Sequence, residues 1–584
     1  MRGLPIVLAN PRDPAVSIEH YITYENLGIA YIAAALRQEG FSAAIVDAYA
    51  RQIGAAEAAA EVATARPALV GLTATYQSLG EAYEMARLIK AAVPGAHVCM
   101  GGEHATYSAR AILGEEPAID SICRGEGERT MVDLARKLPD GDLGSVLGLT
   151  FRDGPPGAGA AAGAGAGTGA GAGAATGAVI RENPPRPPIA DLDAVAFPVR
   201  DTLEWCTATD RHALIGLLGS RGCAYDCHFC NAFDYFRSGI GPAWRKRSPK
   251  KIVDELEMLC NRYYNRSAHE PIHFYDANFI YPTPAGREWA GAIAEEIISR
   301  KLELNFAVYC RADSFSDGDE EFATLLARAG LRSAFIGLEA GSQEMLDRYH
   351  KRTSVEQNHW VLSFLRAHGV ETVTNGFIMF SPYSSLADVR ANGRFLLDTG
   401  QASFWNLTGR LQLFPGVKLV DTLRRDGLLL PSYAHQRIHD YEFTEPKVAL
   451  LVDRLDFGDH LAPSRENHLV RYIRMVHFEI EQRLAARARE GRAVHGPAAV
   501  EGHAVTLAIE KARRVIDQAN YDFFLASVDL AEAGWDESRF QAMRAAYLDG
   551  FEARLDDLLE TFNRYLDAVD RAVEGDGATA AAGR

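Results

Sequence analysis

Short continuous apolar runs alternate with helical segments along two long stretches of this chain, and that alternation narrows the fold more than any other feature. In the first stretch, Pro5–Ala9, Phe41–Val46, Ala68–Thr73, His97–Met100 and Ile119–Cys123 read as strands. Between them, Leu27–Gly40 and Ser78–Ala92 have helical apolar spacing, the former ending on a glycine suited to a helix C-cap. Strands that are apolar at every position are covered on both faces, and helical crossovers make them parallel. Residues 1–140 therefore predict a Rossmann-like, doubly wound α/β domain.

The second stretch, 212–416, repeats strand then helix six times. Its strands are expected at Leu214–Gly219, Ile272–Tyr275, Leu304–Tyr309, Ser333–Leu338, Val373–Phe380 and Phe404–Leu413, with helices such as Ser248–Asn265 and Thr283–Arg300 between them. Six units imply a partial (β/α)6 barrel within 201–430, with chemistry at the C-terminal ends of its strands. The connector 141–200 contains a Gly/Ala tract, 154–178, between two strand-like pieces, Val146–Arg152 and Ala178–Arg181. Such a tract has little side chain to bury and is expected to be an expanded hairpin loop. Past 431 strand signals fade, so 431–584 is expected to be a helical C-terminal region, with helices at 466–492, 498–531 and 537–572 and a disordered tail at 574–584. A chain of 584 residues is long enough for these several cores.

The formal net charge is −16, the opposite of what tracking a nucleic-acid backbone requires, so no nucleic-acid partner is expected. The one compact basic run, Arg245-Lys246-Arg247, reads as easily as a solvated loop as a local basic patch. No stretch reaches the roughly 18 apolar residues of a membrane span. The apolar run at 3–9 reads as a buried first strand rather than a leader, and a cytoplasmic protein is expected. Of eight cysteines, five (99, 123, 206, 260 and 310) are scattered and read as buried thiols in a reducing compartment.

The other three form Cys223-Ala-Tyr-Asp-Cys227-His-Phe-Cys230, directly after the first barrel strand. Thiolates are soft iron ligands, and this spacing lets one loop wrap a cluster. Three ligands would leave one iron of a [4Fe–4S] cluster open to chelate a small molecule. Spacing alone also permits zinc, with His228 or Cys206 as a fourth ligand.

The motif in this barrel context resembles the radical S-adenosylmethionine (SAM) superfamily, over roughly residues 200–430. Further segments resemble that family in order. Phe229 stands at its adenine-contacting position. His273-Phe-Tyr-Asp276-Ala-Asn278 is similar to the second-strand motif near the SAM methionyl group, and Arg311 ends the third strand. Phe335-Ile-Gly-Leu-Glu339-Ala-Gly-Ser342 is similar to the fourth-strand motif near the SAM ribose and carboxylate. Gly376–Pro382 resembles the fifth-strand segment but lacks its Gly-rich ending. From the residues themselves, Asp276 and Asn278 read equally as caps of the next helix, Glu339 as an N-cap acid at the helix opening near Ser342, and Arg311 as a structural ion-pair partner. The resemblance implies a [4Fe–4S] cluster on the three cysteines, SAM bound to it, a 5′-deoxyadenosyl radical that takes a hydrogen atom from an unactivated carbon, and an electron donor such as flavodoxin or ferredoxin.

A Rossmann-like domain ahead of such a barrel resembles the cobalamin-binding branch, most closely the class B radical SAM methyltransferases. The matching loops carry Thr73 and Thr75, Gly101, Gly102 and His104, and Gly125 and Glu126, which the resemblance places around the corrin. No Asp-x-His-x-x-Gly is present, so cobalamin bound without histidine ligation is expected, and Ala9-Asn-Pro-Arg-Asp after the first strand disfavours a dinucleotide. The resemblance implies methyl transfer to a small-molecule or natural-product substrate; the alternative is a non-methylating radical reaction such as oxidative cyclisation, ring contraction or dehydration. No catalytic acid or base is assigned. Trp405, Asn406 and Arg410 are expected near the substrate, and equally read as barrel core.

Overall fold

The computed structural model describes residues 4–14, 23–153, 179–211, 213–237, 240–264, 271–374, 376–456 and 497–581. The Gly/Ala tract 154–178 and the expected helix 466–492 lie outside the described residues.

The first sheet has seven strands: β1 Pro5–Asn10, β2 Ser42–Asp47, β3 Leu69–Thr73, β4 His97–Gly101, β5 Ser121–Cys123, β6 Leu149–Asp153 and β7 Val179–Glu182, in the order β2-β1-β3-β4-β5-β6-β7. The first five pair in parallel, β1 against β2 and β3. Residues 6–9 of β1 are buried, as a strand covered by helices on both faces requires. Order reverses at β1, so the crevice beyond the C-terminal ends of β1 and β3 is the ligand position of such a sheet. The strands flanking the Gly/Ala tract, β6 and β7, pair antiparallel with each other and extend this same sheet.

The second sheet has five parallel strands: β8 Gly216–Leu217, β9 Ile272–Phe274, β10 Phe306–Arg311, β11 Leu331–Gly337 and β12 Glu371–Val373. Two expectations need correction here. The first barrel strand is divided: Ala213–Leu214 pairs with Thr23–Tyr24 of the first domain, and only Gly216–Leu217 pairs with β9. The expected sixth strand opens instead as a helix, Phe404–Thr408, because the Ser403 hydroxyl accepts the Asn406 amide and caps it. What survives is a parallel bridge between Phe380 and Arg410.

Helices Pro497–Ala533 and Glu537–Ala581 pack against each other and extend the barrel core, which runs continuously from Leu203 to Phe562. The second helix continues through Ala581, so the expected disordered tail is helical over most of its length. Asn520 joins the two units, donating to the Ala402 carbonyl at 3.1 Å and accepting from the Tyr547 hydroxyl at 2.8 Å. Among the described residues, no helix is long and apolar enough to cross a membrane.

Candidate active site

The three cysteines lie in a loop between Ser220–Gly222 and Trp244–Lys246, which pair as a short antiparallel ribbon. Gly222 has φ +95°, and a Cβ there would stand 2.1 Å from the Ala243 carbonyl oxygen, so the ribbon closes only around glycine. The loop is tied down on several sides. The His228 amide donates to the Tyr349 carbonyl at 2.9 Å, the Leu419 amide to the His228 carbonyl at 3.0 Å, and the Ala224 amide to the Tyr281 hydroxyl at 3.2 Å. Cys227 is buried, Cys223 half-buried and Cys230 exposed, and all three are free thiols.

Three thiols on one loop are a donor set that fits an iron–sulfur cluster. Side-chain atoms of Asp226, His228 and His350 lie within 4.8 Å of one another, so His228 is grouped with those two residues. His228 thus faces His350, at 4.8 Å between ring centroids, and Cys206 sits buried on the helix Asp201–Ala208. Neither completes a zinc site with the three thiols. Arg311 places Nη1 3.3 Å from the Cys227 sulfur, a cation beside the buried thiol.

Arg311 also belongs to a charged group at the barrel mouth. Its Nε donates to Asp313 at 2.8 Å, its guanidinium lies 3.7 Å from the Tyr225 ring centroid, and Nη2 reaches the Lys351 carbonyl. Lys351 is buried, bonds Glu339 at 2.7 Å and stands 5.8 Å from the Phe229 ring. Glu339 has φ +66°, in the left-handed region that non-glycine residues seldom occupy, and its carboxylate meets Lys351. Phe229, Arg311 and Glu339 therefore gather with Cys227 around a residue that sequence reasoning missed. Lys351 belongs to no motif; only its partner Glu339 hinted at a buried cation.

Asp276, Asn278 and Ser342 are engaged within the fold. Asp276 is buried and accepts from the Gly219 amide at 2.9 Å and from the Ser220 hydroxyl, which shapes the approach to the cysteine loop. Asn278 accepts from the Arg311 amide at 3.2 Å and donates to the Ile280 carbonyl at 3.0 Å, tying β9 to β10. Ser342 caps the helix Gln343–Arg348 and donates to Asp388 at 2.5 Å.

The strand-end loops of the first domain meet one another and then the cysteine loop. A Cβ on Gly102, whose φ is +107°, would stand 3.0 Å from the Ala74 carbonyl and 3.4 Å from Thr73 Oγ1. Thr75 turns back onto Ser78, and the Gly125 amide donates to Thr106 at 3.0 Å. The Tyr107 hydroxyl reaches the Asn231 carbonyl at 3.3 Å and the Tyr235 hydroxyl the Gly125 carbonyl at 3.4 Å. His104 is buried, with Nε2 3.0 Å from His435 Nδ1, and His435 Nε2 lies 3.0 Å from Glu115. Burial, then His435, lower the His104 pKa to about 4, so its ring is neutral. Gly101 closes β4. The carboxylate of Glu126 reaches the other domain, meeting Arg221 at 3.1 Å and Arg245 at 2.9 Å. The basic run 245–247 is correspondingly no solvated loop, since Arg245 and Arg247 are buried on Glu126 and Glu255. Trp405 is exposed, Asn406 is buried on the Gln401 carbonyl, and Arg410 approaches the Tyr441 ring at 6.0 Å.

Comparison with known proteins agrees with this arrangement. The B12 binding domain family matches residues 15–135 and the radical SAM superfamily matches residues 217–396. The chain is 26% identical over 439 residues to an uncharacterised methyltransferase of Pyrococcus horikoshii, an alignment covering 74% of this chain and 85% of that protein. It is 29% identical over 354 residues to the anaerobic magnesium-protoporphyrin IX monomethyl ester cyclase of Rubrivivax gelatinosus, covering 59% of this chain and 57% of that one. The solved structure of the cobalamin-dependent S-adenosylmethionine radical enzyme OxsB, with aqua-cobalamin and S-adenosylmethionine bound, superposes with a TM-score of 0.66 at 18% identity, over 97% of this chain and 84% of that one, and shows the fold. A barrel of this topology with three cysteines after its first strand is that of a radical SAM enzyme. With its B12-binding domain, the chain belongs to the cobalamin-binding radical SAM enzymes, and its cofactors are a [4Fe–4S] cluster, SAM and cobalamin.

Proposed function

We propose that this enzyme transfers a methyl group to an unactivated carbon of a small-molecule or natural-product substrate. The observation that carries the reading is the juxtaposition of loops: Gly101–Tyr107 and Gly125–Glu126 of the first domain abut residues 221–235, which bear the cysteines. Cofactors held by the two loop sets would share one reaction space. Bound there, the cluster and SAM supply a 5′-deoxyadenosyl radical and cobalamin supplies a methyl donor.

The chain's own residues bind and orient. Cys223, Cys227 and Cys230 hold the cluster, with Arg311 beside Cys227. Phe229 and the Lys351–Glu339 pair lie where SAM would dock, and Asp276 and Asn278 hold the strand ends behind them. Thr73, Thr75, Gly101, Gly102, Gly125 and the neutral His104 form the wall against the corrin. The net reaction consumes one substrate C–H bond, two SAM and two electrons, and gives methylated product, S-adenosylhomocysteine, methionine and 5′-deoxyadenosine. The electrons come from an external donor of the flavodoxin or ferredoxin kind, which suits a cytoplasmic setting.

The likeness to a protein named as a cyclase supports a second reading, a radical reaction without methylation. Turnover with SAM labelled at the methyl group separates the two. Methyl transfer gives S-adenosylhomocysteine and 5′-deoxyadenosine together, with label in the product. 5′-Deoxyadenosine without a labelled product selects the second reading.

A further inference from the structure

Resting on the reading of Cys227 as a cluster ligand, we propose that Arg311 serves the cluster itself. Donating from Nη1 to the Cys227 sulfur, it raises the cluster's reduction potential, and Asp313 is the positioning residue that aims it. In sequence Arg311 stands among the segments that resemble SAM contacts, with a structural ion pair as its plain alternative. The geometry joins an ion pair to a third group: Nη1 lies 3.3 Å from the Cys227 sulfur.

The guanidinium is fixed before any cofactor arrives. β10 ends at Arg311 and turns at once through Ala312–Ser314. The Arg311 amide donates to Asn278 at 3.2 Å and to Ser314 Oγ at 3.1 Å, and Ser314 Oγ donates on to the Ile280 carbonyl at 2.7 Å. The turn brings Asp313 back to the side chain two residues earlier. Its carboxylate accepts from Nε at 2.8 Å and from Nη2 at 3.0 Å, the paired geometry that makes an arginine–carboxylate contact directional. Nη2 also donates to the Lys351 carbonyl, and the guanidinium carbon stands 3.7 Å from the Tyr225 ring centroid. With Nε and Nη2 engaged in this way, Nη1 is the nitrogen presented to the sulfur.

The sign follows from charge. Reduction adds one electron to the cluster, with no bond made or broken, so its negative charge grows by one. A fixed N–H donor and a cation at a ligand sulfur stabilise the reduced form more than the oxidised one. Asp313 sits on the Nε–Nη2 edge, opposite Nη1, so the pair turns its positive end to the sulfur. Arg311 is 5% exposed and Cys227 7%, so water screens the contact little. Because the donor group is already oriented, it need not reorganise when the electron arrives. An external one-electron carrier therefore reduces this cluster more readily than it would without Arg311.

The test reads the cluster's potential in holoenzyme reconstituted anaerobically with iron, sulfide and cobalamin, without SAM or substrate. The signal is the electron paramagnetic resonance of the reduced cluster at a series of fixed potentials. Arg311→Gln should lower the reduced-to-oxidised ratio at a given potential at least about tenfold, equivalent to about 59 mV, with iron content unchanged. Arg311→Lys, which keeps the charge without the fork, should lose less. Lys418→Met removes an exposed cation paired with Asp226, next to Cys227, and should change the ratio less than about twofold, because water and salt screen it. In wild type carrying isotopically labelled arginine, the reduced cluster should couple to guanidinium nitrogen; this needs no variant and decides the case if Arg311→Gln does not fold. An unchanged or raised potential in Arg311→Gln, an equal shift from Lys418→Met, a shift that appears only once SAM is added, or no arginine coupling in the wild type overturns the proposal. A wild type that holds no cluster overturns it together with the reading it rests on, whereas failure to methylate leaves it standing.

Discussion

Glu126 meets Arg245 with both carboxylate oxygens, Oε1 to Nη2 at 2.9 Å and Oε2 to Nη1 at 3.2 Å, and the contact joins the two cofactor domains. Arg245 is the cross-strand partner of Arg221 in the ribbon that brackets the cysteines. Like charges directly opposite destabilise a strand pair. Glu126 offsets that repulsion from the other domain, and Glu128 takes the remaining Arg221 nitrogen at 2.5 Å. The cysteine ribbon is thereby complete only when the first domain is docked against it.

Removing one partner of such a buried network costs about 3–5 kcal/mol, because the remaining charges stay buried. Glu126→Gln is expected to lower denaturation stability by that order. Although burial opposes ionisation, Arg221 and Arg245 hold the Glu126 carboxyl below its usual range. A depressed carboxyl stabilises the fold above its ordinary pKa, and that share is lost as pH falls through the folded value. The wild type should therefore lose stability in acid more steeply than Glu126→Gln. A change below about 1 kcal/mol at neutral pH would show the contact to be dispensable.

Asp276 carries the opposite sign. Burial raises its carboxyl to about 6, despite hydrogen bonds from Ser220 and Gly219. A raised carboxyl binds more protons folded than unfolded, so its contribution is full below about pH 4 and is lost as pH rises through about 6. Asp276→Asn keeps the shape and removes the charge. Melting temperature measured from pH 4 to pH 7 should decline less in this variant than in the wild type; identical slopes would contradict the assignment.

Replacing any of Cys223, Cys227 or Cys230 by alanine is expected to abolish SAM cleavage and reduce bound iron to well under half. Anaerobically reconstituted wild type should hold about four iron per chain. Metal analysis that returns zinc instead of iron in the wild type would refute the cluster.

Hydroxocobalamin should bind with about one per chain, and its Co(II) form should give an electron paramagnetic resonance spectrum without nitrogen coupling from histidine. His104 already shares Nε2 with His435. His104→Ala should leave that spectrum unchanged and weaken binding by less than about tenfold, the loss of one hydrogen bond. Disappearance of a nitrogen coupling in the variant would make His104 a cobalt ligand.

Much of the fold was legible because it rests on local patterns. Apolar runs such as Pro5–Asn10 betray a doubly covered strand, and the strands on either side of the Gly/Ala tract pair as the hairpin they suggested. Phe404–Leu413 misled because aromatic and β-branched content outweighed Ser403, whose hydroxyl caps a helix there. The run Arg245–Arg247 misled for a different reason: charge density suggests solvent until the acidic partners, more than a hundred residues away for Glu126, are known.

By itself the sequence determined the two α/β domains and the three thiols, because strand periodicity and ligand spacing are written within a few residues. Only the tertiary structure decided what each polar group does. It brought Glu126 to Arg221 and Arg245, Lys351 to Glu339 and Phe229, and His104 to His435. Those partners lie from 12 to 331 residues apart along the chain. Burial leaves each such group one low-energy choice, a partner of complementary charge or hydrogen bonding, and which partner arrives is settled by packing rather than by neighbouring residues.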